Sequence, residues 1–158
     1  MKRFIPHFPI ILIGLSFSSF NGCVFPEMDP PENRAIVRFL NTSDQEININ
    51  MINHPLSGDG SLISINVVPN MEGGNNNFVY ENNAIDSYFS IIQNSDTKIQ
   101  IIANGNLVKE WTGPIDHYGI AVNSPFNYDS WMFEKIEPTG NNIVGKIIFT
   151  ITNDDIGN

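Results

Sequence analysis

The sequence predicts an all-β fold, an antiparallel sandwich of about seven to nine short strands. Three observations carry this. Apolar and polar residues alternate with a two-residue period in one short segment after another, an Asn-Gly pair joins two such segments, and no stretch sustains a helical apolar period. In order, Ala35, Val37 and Phe39 alternate with Arg34, Ile36 and Arg38. Ile47, Ile49 and Met51 alternate with Glu46, Asn48 and Asn50, and Ile63, Ile65 and Val67 with Ser64 and Asn66. Phe78-Val79-Tyr80 is a short run, and residues 87–92 form another, rich in aromatic and β-branched side chains. Residues 118–122, 131–136 and 143–152 complete the set, with Ile143, Gly145, Ile147, Phe149 and Ile151 on one face.

The clearest local signal lies at residues 98–111. Asn104-Gly105 sits between two strand-like runs, and a type I′ hairpin turn wants positive φ at both central positions, which this dipeptide tolerates. Two-residue closure pairs Ala103 with Asn106, Ile101 with Val108 and Lys98 with Trp111. Ile99, Ile101 and Val108 then face the core, while Lys98, Gln100, Lys109 and Trp111 face the other way. An open barrel is the alternative to a sandwich. The chain has no internal repeat, and residues 34–158 are long enough for one core and one domain.

Composition narrows the function classes. The chain has 158 residues, a formal net charge of −9, 41% hydrophobic and 16% charged residues, and one cysteine. That is too apolar for a disordered acidic tail and too poor in cysteine for a disulfide scaffold. The acidic balance argues against nucleic acid, whose phosphates call for a basic patch.

The N-terminus has the layout of a secretory signal peptide. Lys2-Arg3 is a basic start, Ile10-Ile11-Leu12-Ile13 leads a short apolar run, and Gly22 is a small residue before Cys23. The run falls far short of the roughly 20 residues that span a bilayer. Phe20-Asn21-Gly22-Cys23 resembles the lipobox of bacterial lipoproteins. Gly22 fits the pattern, whereas Phe20 and Asn21 depart from the usual Leu and Ala or Ser. The resemblance implies cleavage before Cys23, diacylglycerol on its sulfur and an acylated (palmitate-type) amino group. Two or more acyl chains hold a protein stably, at ~0.8 kcal/mol per buried CH₂. Residues 1–22 are then a signal peptide, and residues 23–33 are the lipidated cysteine and a tether. That tether carries Pro26, Pro30 and Pro31 with Glu27, Asp29 and Glu32, which stiffen and solvate it. Lys2 and Arg3 leave with the signal, so the mature domain is more acidic still and the lipid alone must bind the membrane. Val24 is not the Asp that retains some lipoproteins at the inner membrane, which favours the outer membrane, on its periplasmic or its surface face.

Ala35-Ile36-Val37-Arg38-Phe39-Leu40-Asn41-Thr42-Ser43-Asp44 resembles the opening strand of a family of immunoglobulin-like domains of unknown function in bacterial envelope lipoproteins. The family's Pro between Ser and Asp is missing here. The resemblance implies an immunoglobulin-like β-sandwich on a lipid tether, and it brings no catalytic residues.

Candidate chemistry is sparse. His117 in Asp116-His117-Tyr118, with Ser124 and Ser130 following, is the one arrangement that suggests a hydrolase, and it lacks a Gly-x-Ser-x-Gly elbow. His54 precedes Pro55 in an expected turn. Two isolated histidines without thiols do not make a zinc site. Ser57-Gly58-Asp59-Gly60-Ser61 and residues 81–86 offer oxygen donors without the spacing of a calcium loop, and Asp, Asn and Gly also serve as plain turn residues. No cofactor is expected. Phe126, Tyr128 and Trp131 share one loop with Asn and Asp, and Trp111 falls on the wetter hairpin face, so these four rings form a candidate surface for a glycan or protein partner. The opposing reading makes them a minor core at the open end of the sandwich. The expectation is therefore a lipid-anchored, non-catalytic binding or structural module of the cell envelope. An envelope hydrolase built on His117 and an accessory subunit of a periplasmic assembly are the alternatives.

Overall fold

A computed structural model describes residues 33–57, 62–74, 78–80, 83–92, 96–113 and 123–157. The expected signal peptide, Cys23 and most of the tether lie outside these residues, as do the expected strand at 118–122, Asp116 and His117, Asp59, and Glu81.

Two sheets face each other across one core. Strand β1 (Arg34–Asn41) lies inside a five-stranded sheet, flanked by β9 (Ile143–Ile151) on one side. On the other side β5 (Phe78–Tyr80) pairs with its first half and β4 (Met71–Gly73) with its second. The ninth strand carries β8 (Trp131–Thr139) beyond it. The second sheet runs β3 (Ile63–Val67), β2 (Ile47–Ile52), β6 (Lys98–Ala103), β7 (Asn106–Thr112). The alternation read from sequence places the core correctly: Ala35, Val37, Phe39, Ile47, Ile49, Met51, Ile65, Val67, Ile147, Phe149 and Ile151 are all buried within it.

Three features differ from the expectation. First, β1 and β9 pair parallel, from Ala35 opposite Gly145 to Asn41 opposite Ile151, so the sandwich is not wholly antiparallel. Alternation reports which face is buried but not which way a neighbour runs.

Second, residues 87–92 are not a strand. They belong to helix α1 (Ala84–Ile92), and a second short helix, α2, covers Asn153–Ile156. Ala84, Tyr88 and Ile92 recur every fourth residue, with Phe89 beside them, and these four are the helix's buried residues. Their aromatic and β-branched composition favours strands, but as a helix packed against β5 and β8 the nine residues turn one coherent apolar stripe to the core.

Third, the hairpin slips. Ile102 pairs with Leu107, yet Ile101 pairs with Lys109, which leaves Val108 as an extra residue. A bulge of one residue moves every later side chain to the opposite face. Val108 is exposed and Trp111 is buried opposite Ile99, the reverse of two-residue pairing without a bulge.

On the outer face of the five-stranded sheet Lys146 bridges Glu72 at 2.8 Å and Glu134 at 3.3 Å. Burial works against the Lys146 charge, but hydrogen bonds and charge from these two carboxylates outweigh it and hold its pKa above the ordinary value. Among the described residues no helix is long and apolar enough to cross a membrane.

Candidate functional site: an amide-lined cleft

The outward side of the four-stranded sheet is built by the polar half of the same alternation. Register places Asn66, Asn48, Ile102 and Leu107 in one row across the sheet, and Ser64, Asn50, Gln100 and Glu110 in the next. Asn is among the residues least suited to strands, because its side chain competes for backbone hydrogen bonds. Three of them nevertheless occupy adjacent outward positions on β2 and β3.

These side chains hold one another. The Ser64 hydroxyl reaches Asn48 Oδ1 at 2.7 Å and Asn50 Oδ1 at 2.9 Å, its single proton serving one amide at a time. Asn66 Nδ2 donates to Glu46 Oε1 at 2.7 Å, and Gln100 Nε2 to Glu110 Oε2 at 2.6 Å. Among the described residues the Asn48 and Asn50 amide nitrogens, Asn66 Oδ1 and Glu46 Oε2 make no further hydrogen bond.

At one end the face deepens into an open cleft of about 410 Å³, bordered by Glu46, Asn48, Asn66, Ile102, Asn104 and Gly105. Its walls are braced from below. Buried Asn41 donates to the carbonyls of Gln45 at 2.7 Å and Val67 at 3.0 Å, and its Oδ1 accepts from the Ser43 amide and hydroxyl. Asn104, at positive φ in the hairpin turn, donates to Gln45 Oε1 at 2.9 Å and ties the hairpin tip to the β1–β2 turn. Hydrogen bonds therefore position the cleft before anything enters it, which lowers the ordering cost of binding. The cleft sits at the Asn41 end of β1. Arg34, where the chain enters the sandwich, is seven strand residues away, about 23 Å at 3.3 Å per residue.

Three of the four rings expected to form a binding surface are buried instead. Trp111, Phe126 and Trp131 are 7%, 4% and 6% exposed, and all three belong to the core. The bulge turns Trp111 inward, and its indole N–H donates to the Asn123 carbonyl at 3.2 Å. Trp131 opens β8 and donates to the Pro125 carbonyl at 3.0 Å. These bonds let amphipathic rings go inside without an unpaired N–H. Trp131, Phe39, Phe149 and Tyr88 then form one aromatic cluster, with Trp131 5.4 Å from Phe149 and 4.9 Å from Tyr88. Tyr128 alone stays half-buried at the rim, against Phe89 at 5.9 Å. Burial first, then the Asp86 and Asp129 carboxylates, pushes its hydroxyl pKa up.

His54 lies in the turn expected before Pro55, with a short 3₁₀ segment at Pro55–Ser57 after it. The ring is 1% exposed and stacks on Tyr88 at 5.7 Å. Its Nδ1 accepts from the Leu56 amide at 3.2 Å, so the proton of the neutral ring belongs on Nε2, 3.1 Å from the Tyr88 hydroxyl. Burial pushes the His54 pKa down to about 4 and raises that of Tyr88. This neutral pair locks α1 to the β2 end and lies inside the core. The serines near His117 serve the turn: Ser124 N–H donates to the Ser130 hydroxyl, and Phe126 N–H to that of Ser124. Among the described residues no group of three His, Cys, Asp or Glu side chains could hold a metal ion.

The chain matches no family model, no curated protein and no solved structure. The cleft was not singled out by sequence, although Asn48, Asn50 and Asn66 at alternating positions were the available signal.

Proposed function

We propose that the chain is a lipid-anchored protein of the bacterial cell envelope, and that its β domain, an immunoglobulin-like sandwich in this reading, is a non-catalytic binding module held off the bilayer. The anchor is a lipid on Cys23, the standoff is the Pro-rich acidic segment, and the membrane is the outer one. One observation carries the reading. The chain enters the sandwich at Arg34, and the braced polar cleft lies at the other end of the same strand. A tether at the entry would present the cleft away from the lipid. The acidic net charge supports the division of labour, since only the lipid would then hold the protein to anionic head groups.

The test is mass spectrometry of the protein from the membrane fraction, beside a Cys23→Ser variant. The expected result is a diacylglyceryl cysteine at the mature N-terminus and release of the variant to the soluble fraction. An unmodified Cys23 thiol, or a variant that stays membrane-bound, removes the anchor. Protease shaving of intact and permeabilised cells then distinguishes the surface face from the periplasmic one.

A further inference from the structure

We infer that the cleft bordered by Glu46, Asn48, Asn66, Ile102 and Asn104 binds a neutral, hydroxyl-rich glycan chain. This deepens the binding-module reading by naming its ligand class. Four observations carry it.

The first is the cost the strands accept. Asn at three outward positions of β2 and β3 gives up strand propensity where Thr would serve a merely solvated face better. Places where a local rule is broken without a packing gain are where function is expected.

The second is the chemistry of the groups on offer. A sugar hydroxyl both donates and accepts, and so does a side-chain amide. The Glu46 contact holds the Asn66 amide and the Ser64 hydroxyl holds the Asn48 or the Asn50 amide in turn, which leaves outward capacity of both kinds, nitrogens on Asn48 and Asn50 and an oxygen on Asn66.

The third is charge. Glu46 is the single charged side chain bordering the cleft, in a chain of net charge −9, so a polyanion is repelled and a neutral ligand is not.

The fourth is shape. The cleft is open rather than closed, with half-buried Ile102 at its border and exposed Leu107 next to it in the same row as an aliphatic strip beside the amides. A C–H face of a sugar ring can lie on such a strip. A protein partner would need a buried aromatic or arginine anchor and a pocket to receive it. The cleft border offers no aromatic or arginine side chain as such an anchor.

The experiment is affinity electrophoresis of the full chain, solubilised in detergent, through gels containing dextran, pullulan or hydroxyethyl cellulose, with alginate as the anionic control. Short N-acetylglucosamine oligomers are added as competitors. The expected result is retardation by at least one neutral polymer and none by alginate. Asn48→Thr and Asn66→Thr should each weaken that retention about three- to tenfold, the effect of one lost hydrogen bond. Their melting temperatures should be unchanged or raised, because Thr is the better strand residue. A purely structural role for the amides predicts the opposite pair of results. Migration unaffected by every neutral polymer overturns the inference. So does retardation by alginate alone, or retention that survives in the double variant. The anchor is judged separately, since a chain that binds glycan without lipid sinks only the anchoring, and a lipidated chain that binds none sinks only the cleft.

Discussion

Lowering the pH from 7 to 5 puts the buried His54 under direct load. In the folded chain burial depresses its pKa to about 4, against an ordinary value of 6.5. The unfolded chain therefore binds the proton more readily. Stability is complete above the unfolded value and falls as the pH drops toward the folded one. Linkage over that interval gives a loss of about 2 kcal/mol between pH 7 and pH 5, approaching about 3 kcal/mol at pH 4. A domain of this size has only about 5–15 kcal/mol in total. Carboxylates add their own pH dependence, so the quantity to measure is the difference between the wild type and His54→Gln. Urea unfolding followed by tryptophan fluorescence at pH 7, 6 and 5 supplies it. The variant is expected to be less stable at pH 7, since it loses the Tyr88 contact and the ring stack. The gap should then narrow by about 2 kcal/mol as the pH falls to 5. A gap that stays constant across this range would refute the reasoning, because it would mean that His54 titrates alike in both states.

Three more outcomes follow from the packing. Trp111→Ala and Trp131→Ala should each cost about 3–5 kcal/mol in urea unfolding, whereas Tyr128→Phe at the rim should cost under about 1 kcal/mol; equal costs would contradict the burial described above. Deleting Val108 removes the bulge residue but leaves Lys109 opposite Ile101 and Trp111 opposite Ile99, so Trp111 should stay inward with an unchanged emission maximum; a red-shifted emission would show that cross-strand pairing does not set the ring's side. Asp155 closes α2 by accepting from the Thr152 amide and hydroxyl and reaches Asn123 Nδ2 at 2.9 Å, so Asp155→Ala should cost about 1–2 kcal/mol, read as a lower urea midpoint, and an unshifted midpoint would count against the cap.

What was legible in the sequence was the part set by local contrast. Ile47, Ile49 and Met51 against Asn48 and Asn50 told core from solvent because the two faces of β2 differ in polarity. Asn104-Gly105 told the hairpin because few dipeptides accept its turn. Parallel pairing of β1 with β9 leaves no local trace, since it depends on residues 109 positions apart, such as Arg34 and Ile143. Helix α1 was hidden by its own composition, and Tyr88, Phe89 and Ile92 declare themselves only once a core exists to receive one stripe. The Val108 bulge carries no residue signature, and the placement of Trp111 failed through it. The outward amides were visible one strand at a time. Their meeting in one cleft needed the pairing of Asn48 with Asn66 and the reach of Asn104 to Gln45, which are properties of the assembled sheet.

The parallel neighbours β1 and β9 also determine how the domain bears tension. The chain enters at Arg34 beside Ile143, and it leaves past Ile151 beside Asn41, at the other end of the ladder. Pulling the two termini apart slides the strands along each other, so every rung between them is strained together. In a ladder peeled from one end the rungs would give way in succession, each at a small force. A protein fastened by its first residues and loaded near the far end of β1 is pulled along the same axis. The domain's strongest direction thus runs along the line from entry to cleft, and an anchor at the entry, as proposed, would load it in that direction.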